Sequence, residues 1–201
     1  MIIMKWFVIV IILSIILISG CTQQLTDQAI SQEQSQTTKS QIYTDEVKNL
    51  LPKRDEINTE YKIVASEDKT NISGYFSNYQ TQGLKTIGFE NGSYMELEIL
   101  EGTTITAGYI TILRFDSVDN ANLFYTSLIN FIKNEGGYKE LSSFGINADC
   151  FALEGGNYME GYYQDAYCKK KNIFFNTEVS SFKRSRLPEY EDWANIIANK
   201  I

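Results

Sequence analysis

The strongest constraint on the fold is the alternation of apolar and polar residues over Ser93–Leu100. The apolar residues Met95, Leu97 and Ile99 share one face of this stretch. Tyr94, Glu96 and Glu98 share the other face. This pattern predicts a strand with one buried face. A turn at Glu101-Gly102-Thr103 and a second apolar stretch, Ile105–Phe115, predict a hairpin. The second stretch alternates poorly, which predicts a central strand covered on both faces.

A helix is predicted from Ser117 to Glu135. Ser117 can cap its first turn, and Gly136-Gly137 can end it. Its apolar stripe at helical spacing is formed by Val118, Ala121, Phe124, Tyr125, Leu128, Ile129 and Ile132. We expect this stripe to pack on the sheet.

The rest of the chain predicts further short strands and two more helices. The strands are expected at Tyr61–Ala65, in one or two pieces of Gly74–Phe89, and at Ala148–Leu153, Tyr162–Cys168 and Ile173–Phe182. The helices are expected at Thr44–Leu51 and from about Pro188, and turns at Asp68–Asn71 and Lys169–Asn172, where Asn172 is able to adopt a positive φ. The predicted fold is α+β, with one mostly antiparallel sheet of about six or seven strands flanked by two or three helices.

The first 21 residues have the layout of a secretory signal. Lys5 supplies a positive charge, Trp6–Ile18 is apolar except for Ser14, and two small residues precede Cys21. The 14 residues between Lys5 and Gly20 would reach about 21 Å as a helix, whereas a bilayer core needs about 30 Å. The alternatives are an uncleaved transmembrane helix and a signal peptide without lipidation.

The sequence Ile18-Ser19-Gly20-Cys21 resembles the lipobox of prokaryotic lipoproteins. This resemblance implies cleavage before Cys21, diacylation of its thiol, and stable attachment to the extracytoplasmic face of the cell membrane. We therefore predict a signal peptide over 1–20, a disordered tether over 21–43 and a single domain over 44–201. The tether is rich in Gln, Ser and Thr; an irregular helix is the alternative there.

Charge and composition exclude several classes of function. The chain has a net charge of −7, which becomes −8 when Lys5 is removed with the signal, and this argues against a nucleic-acid partner. The chain has no histidine, so Ser-His-Asp and Cys-His catalysis and His-ligated metal sites are excluded. The acidic residues that could supply oxygen ligands to calcium are scattered and form no calcium-loop motif: Asp116, Asp119, Glu154, Glu160 and Asp165. We predict no cofactor, no metal site and no catalytic residue.

The remaining cysteines predict a structural disulfide. With Cys21 lipidated, Cys150 and Cys168 form an even pair without a CxxC motif, as expected in an oxidising compartment. If the two cysteines face each other, Leu153 lies opposite Asp165 and the connecting loop centres on Met159.

Leu50-Leu51-Pro52, and Phe115-Asp116-Ser117 followed by Ala121 and Tyr125, form a pattern that resembles small lipid-anchored or surface proteins with a PsbP-like or LpqN-like α/β fold. The resemblance covers most of Leu50–Phe182. It implies a sheet–helix sandwich with an accessory or binding role and no shared catalytic residues.

Three groups of residues are candidates for function. Asn157, Tyr158, Tyr162 and Tyr163 surround a glycine-rich loop that is a candidate contact surface, although Tyr162 and Tyr163 would point to opposite faces of a strand. Glu96 and Glu98 share a strand face and are a candidate acid–base pair, with a solvated strand face as the alternative. Two basic clusters, Lys169–Lys171 and Lys183–Arg186, are expected at opposite ends of one strand as solubilising residues.

These observations favour a non-catalytic, lipid-anchored accessory or binding module of the cell envelope. Its partners would be the membrane through the anchor, and an envelope protein or small ligand. The alternatives are a surface hydrolase that uses carboxylates on envelope glycans, and a structural component of the envelope.

Overall fold

Seven antiparallel strands form one open sheet in the computed structural model, which describes residues 42–70, 88–142, 145–157 and 161–201. The strands are β1 (Lys62–Lys69), β2 (Phe89–Glu101), β3 (Thr104–Phe115), β4 (Lys139–Glu140), β5 (Asp149–Asn157), β6 (Gly161–Lys170) and β7 (Ile173–Ser181), in the sheet order β1-β2-β3-β7-β6-β5-β4. The helices are α1 (Val118–Glu135) and α2 (Glu189–Lys200), with short 3-10 helices at Val47–Leu50, Arg54–Glu56 and Arg184–Arg186. The predicted α+β class and single antiparallel sheet are confirmed.

Several predicted features lie outside the described residues. They are the signal peptide, Cys21, the tether up to residue 41, nearly all of Gly74–Phe89, and Tyr158. The described residues belong to one unit, which spans 38–201.

Alternate side chains along the strands enter two separate hydrophobic cores, one on each face of the sheet. On the α2 face, α2 and the N-terminal 3-10 helix bury residues that include Leu50, Leu97, Ile110, Phe175, Trp193 and Ile197. On the α1 face, α1 covers the ends of the central strands and buries Leu113, Phe115, Phe124, Leu128, Phe151 and Phe174. Strand β3 pairs with β2 and β7, so its prediction as a central strand is confirmed. Coverage on both faces holds for its second half, whereas Ile105 and Tyr109 are exposed or partly exposed.

A glycine in the middle of β3 allows α2 to approach the sheet closely. A Cβ atom on Gly108 would lie 2.3 Å from Cη2 of Trp193, and the indole is 2% exposed. The Trp193 ring therefore occupies the space that any side chain at position 108 would need.

Both ends of α1 match their prediction. The Ser117 hydroxyl accepts a hydrogen bond from the amide of Asn120 at 3.2 Å, and Gly136, with φ of 68°, ends the helix. The buried positions are Ala121, Phe124, Leu128, Ile129 and Ile132. These residues all belong to the predicted apolar stripe, so periodicity identified the packed face correctly.

The β5–β6 hairpin has the register that the cysteine pair predicts. Cys150 pairs with Cys168 and Leu153 with Asp165, and a disulfide joins the two cysteines with their Cα atoms 4.1 Å apart. The pairing ends at Asn157 and Gly161, so the connection lies where the loop was expected.

The predicted turn between β6 and β7 is wrong in length and in the position of its left-handed residue. The strands continue to Lys170 and resume at Ile173, so the turn has two residues, and Lys171 has the positive φ of 53°. Asn172 uses its amide differently. It accepts from the Tyr43 amide at 2.7 Å and donates to the Phe115 carbonyl at 2.8 Å, which ties the turn to the N-terminal segment.

Two predictions near the N-terminus of the domain also need correction. Asp68 and Lys69, expected in a turn over Asp68–Asn71, belong to β1, and the Asp68 carboxylate accepts a hydrogen bond from Ser93 on β2 at 2.8 Å; Asn71 lies outside the described residues. The helix expected over Thr44–Leu51 is a single 3-10 turn, Val47–Leu50. A segment this short gains most of its stability from packing, and Leu50 is fully buried.

Candidate binding surface

The α1 face of the sheet changes character beyond the area that α1 covers. The residues there are carboxylates and tyrosines, which we call the acidic face: Tyr94, Glu96 and Glu98 on β2, Tyr109 on β3, Tyr163 and Asp165 on β6, and Glu178 on β7. They share this face because strand side chains alternate. On β3, β6 and β7 their positions have the same parity as residues of the α1-face core, and on β2 they alternate with Met95, Leu97 and Ile99, which enter the α2-face core.

One row of the acidic face crosses four strands. Glu96 pairs with Tyr109, Tyr109 with Glu178, and Glu178 with Asp165. Directly opposed side chains have Cβ atoms about 4.5–5.5 Å apart, so Asp165 and Glu178 are immediate neighbours. Like charges in such positions repel each other.

Asp165 is the most buried member of the row. Its side chain is 5% exposed, and its Oδ2 accepts a hydrogen bond from the Tyr167 hydroxyl at 3.3 Å. Its Oδ1 is buried without a hydrogen-bond partner among the described contacts. Burial, and then the charge of Glu178, raise the pKa of Asp165 well above its ordinary value.

Glu178 is partly exposed, and it titrates together with Asp165. Burial raises the pKa of Glu178 to about 7. Because one charge opposes the formation of the second, the two carboxyl groups retain a proton at pH values where an exposed pair is fully ionised. The pair is therefore a proton-holding unit, and an incoming cation would stabilise its ionised form.

The tyrosines surround the carboxylate row with aromatic surface and hydroxyl donors. The rings of Tyr94 and Tyr109 stack with centroids 6.5 Å apart and an interplanar angle of 22°. Burial, and then the charge of Glu96, raise the pKa values of both hydroxyls, so both stay protonated. Tyr163 lies across β5, where a Cβ on Gly155 would be 2.1 Å from its hydroxyl oxygen.

An apolar rim borders the acidic face at the end farthest from α1. Leu100 pairs with Ile105 across the β2–β3 hairpin, and Phe182 directly follows β7, with its ring near Gly161 on β6. Their exposed fractions are 70% for Leu100, 49% for Ile105 and 50% for Phe182. Three large apolar side chains exposed together are typical of a contact surface.

The structure separates the members of the predicted contact loop. Tyr163 belongs to the acidic face, whereas Tyr162 lies on the α2 face with the Arg184 guanidinium 4.2 Å from its ring centroid. For Asn157 the structure describes the backbone, which pairs with that of Gly161 at the end of the β5–β6 hairpin. The two tyrosines point to opposite faces, as strand geometry predicts.

The other predicted candidates have different positions. Glu96 and Glu98 share the acidic face, and Glu98 is in register with Lys62 of β1. Glu154 accepts a hydrogen bond from Gln164 on the face opposite Asp165, and Asp116 accepts one from Asn120. Within residues 42–70, 88–142, 145–157 and 161–201, no three acidic or cysteine side chains form a group that could hold a metal ion.

The two basic clusters lie at opposite ends of β7, as expected, but most of their members form specific contacts. Lys170 and Lys171 donate to the carbonyls of Ala198 and Ile201 at the end of α2, where cations stabilise a helix terminus. Arg186 forms ion pairs with acidic residues of three segments, Glu60 at 2.6 Å, Glu101 at 2.8 Å and Glu189 at 3.3 Å.

Sequence reasoning missed the pairing of Asp165 with Glu178. A turn over Lys169–Asn172 would pair Cys168 with Ile173, and would thereby place Asp165 opposite Asn176. The two-residue turn pairs Lys170 with Ile173 and shifts the register by two residues. Lys171 and Asn172 are compatible with the expected four-residue turn and with the observed two-residue turn. The local sequence therefore does not indicate which register is correct.

Comparison with known proteins identifies the fold alone. No family model and no curated protein matches this chain. The extracellular domain of PknH from Mycobacterium tuberculosis is similar in structure, with a TM-score of 0.63, at 12% sequence identity, over 80% of this chain and 97% of that one. Among the helices that the structure describes, none has the length and apolar character to cross a membrane.

Proposed function

We propose that this protein is a lipid-anchored, extracytoplasmic accessory module of the cell envelope that binds a partner without catalysing a reaction. The proposal combines the lipobox-like signal ending at Cys21 with a disulfide-closed domain. The observation that carries it is the Cys150–Cys168 disulfide across directly opposed strand residues, because such bonds persist in oxidising compartments outside the cytoplasm. The fold shared with an extracellular domain supports the same placement.

The acidic face is the surface through which we propose binding. It joins carboxylates, tyrosine hydroxyls and the apolar rim on one side of a rigid sheet. Tyrosine and large apolar side chains are enriched where proteins bind one another. The PsbP-like or LpqN-like relationship stays a prediction that agrees with an accessory role.

The anchor is tested by intact-mass analysis of the full chain produced in a bacterial host. We expect a mature protein that begins at Cys21 and carries a diacylglyceryl group. Cys21→Ala should abolish acylation, whereas Ser19→Ala, which keeps a small residue before the cysteine, should leave it unchanged. Recovery of the unprocessed chain, or of a processed chain without lipid, from wild-type cells contradicts the anchor.

A hydrolase that uses carboxylates is the second candidate function. The observation in its favour is the Asp165–Glu178 pair, since unequal protonation of neighbouring carboxyl groups suits acid–base catalysis. The burial of Asp165, at 5% exposure, opposes direct contact with a polymer. Release of soluble fragments from cell-wall glycans by the wild type, lost in Glu178→Gln and retained in Glu135→Gln, would establish the hydrolase and overturn the non-catalytic proposal.

A further inference from the structure

The carboxylates at the centre of the acidic face have no described counter-ion. Elsewhere, described acidic side chains such as Glu56, Glu90 and Glu101 pair with Lys or Arg at 2.6–2.8 Å. Within the described part of the chain, no ion pair involves Glu96, Asp165 or Glu178. Glu98 differs from them because Lys62 is registered opposite it. On the acidic face, the carboxylates with neither an ion pair nor a cation registered opposite them are therefore those of the Glu96–Tyr109–Glu178–Asp165 row.

An unsatisfied buried atom lies in the same row. Oδ1 of Asp165 has no hydrogen-bond partner although the side chain is 95% buried. Leaving a buried acceptor unpaired costs about 1–3 kcal/mol, and more when the group is charged. Because Glu178 is registered directly opposite Asp165 and is partly exposed, an ammonium or guanidinium group that binds Glu178 would lie about one strand spacing from the Asp165 carboxyl group. The row therefore has both the charge and the unused acceptor that a cationic donor would satisfy.

The spacing of the row suits a ligand with more than one cation. Glu96 and Glu178 are separated by β3, which places their backbones about 10 Å apart at 4.7–4.9 Å per strand. An extended peptide advances about 3.3 Å per residue, so cationic side chains three or four residues apart would reach both carboxylates. The stacked rings of Tyr94 and Tyr109 lie beside this path and offer faces for cation–π contact.

The apolar rim favours a protein segment over a small amine as the ligand of this surface. Leu100, Ile105 and Phe182 are about half exposed or more, and a polyamine would leave them uncovered. A second copy of this chain would bring its own carboxylates to the same surface, and like charges in contact oppose such pairing. A segment with cationic side chains and a few large apolar ones would satisfy both parts of the surface.

We infer that the acidic face and its apolar rim form a docking site for a basic, amphipathic segment of a partner protein. This inference rests on the proposed binding role and specifies the chemistry of the partner. Glu96 and Glu178 receive the cationic side chains, the tyrosines flank them, and the rim packs against the apolar side chains.

The test measures binding of the synthetic 12-residue peptide (Lys-Ser-Leu-Ser)3 to the full chain in detergent micelles, because an extended chain of this sequence presents Lys and Leu on one face, with the Lys four residues apart. We expect the Glu96→Gln/Glu178→Gln variant to bind about tenfold more weakly or worse, since close charge pairs at interfaces contribute that much or more. The Leu100→Ser/Ile105→Ser variant should also weaken binding. The matched control, Asp55→Asn/Glu135→Gln, removes two exposed negative charges away from this surface and should change binding less than about twofold.

Three outcomes overturn the inference even when the peptide binds. If the control variant and the Glu96→Gln/Glu178→Gln variant lose the same affinity for the peptide, the peptide is attracted only by the net charge of the protein. Displacement of the peptide by spermidine at equal charge concentration means a site for small amines. A wild-type dimer that Leu100→Ser/Ile105→Ser dissociates means that a second copy covers the face.

Circular dichroism and the intact disulfide verify folding of each variant. If the protein is lipidated but does not bind the peptide, the docking site is wrong and the membrane placement stands. If the protein binds the peptide but carries no lipid, the anchor is wrong and the docking site stands.

Discussion

Replacing Glu178 by glutamine should make the domain more stable at high pH and leave its stability unchanged at low pH. The native pKa of Glu178 is raised from its ordinary 4.5 to about 7 by burial. The native state therefore holds a proton that the unfolded state releases between these pH values. Stability falls as pH rises through this window, because the unfolded state binds fewer protons there than the native state. Below about pH 4.5 both states are protonated and the effect vanishes.

The size of the effect follows from the pKa difference. One pKa unit corresponds to about 1.4 kcal/mol, so the rise from 4.5 to about 7 corresponds to about 3.5 kcal/mol above pH 7. Partial exposure of Glu178 reduces this value, and about 2 kcal/mol is a reasonable expectation. Glutamine removes the charge that opposes ionisation of Asp165, and its amide can donate to the unpartnered Oδ1. The variant should therefore gain about 2 kcal/mol at pH 8.

Urea unfolding from pH 4.5 to 8.5 measures the difference between wild type and Glu178→Gln. The difference should be near zero at pH 4.5 and should grow to its full value above pH 7. Thermal unfolding at pH 8 should show a rise of about 4–8 °C for a domain of this size. Glu135→Gln, an exposed change of the same kind at the end of α1, controls for general charge effects. A difference between wild type and Glu178→Gln that stays constant over this pH range would refute the raised pKa.

Three further substitutions or treatments test the packing of the fold. Gly108→Ala should destabilise by about 1–3 kcal/mol because its Cβ meets the Trp193 ring, whereas Gly145→Ala, with no atom near its Cβ, should be nearly neutral in urea unfolding. Reduction of the disulfide should lower the free energy of unfolding by about 3 kcal/mol for a loop of this length; an unchanged midpoint would contradict this. Asn172→Ala should cost about 2–3 kcal/mol by leaving buried partners unpaired, with faster amide hydrogen exchange at Tyr43.

The elements that sequence reasoning located correctly are those encoded by neighbouring residues. The alternation over Ser93–Leu100 identified β2, the Ser117 cap and the glycine after Glu135 identified the ends of α1, and the two cysteines identified the β5–β6 register. The errors occurred at connections. Asp68 was taken for a turn residue because Asp favours turns, yet its hydrogen bond to Ser93 on the neighbouring strand holds it in β1.

The sequence by itself determined the α+β class, the apolar face of α1 and the position of the disulfide, because periodicity and capping act over a few residues. Tertiary structure alone decided which polar residues meet. Asp165 and Glu178 are 13 positions apart in the chain, and a register shift of two residues would have separated them. A shift of two residues between β6 and β7 leaves Phe174 and Phe175 on the same faces, so their burial does not choose the register. The hydrogen bonds of Asn172 to Tyr43 and Phe115 hold the two-residue turn that sets it. These are long-range interactions, and the acidic face is their consequence.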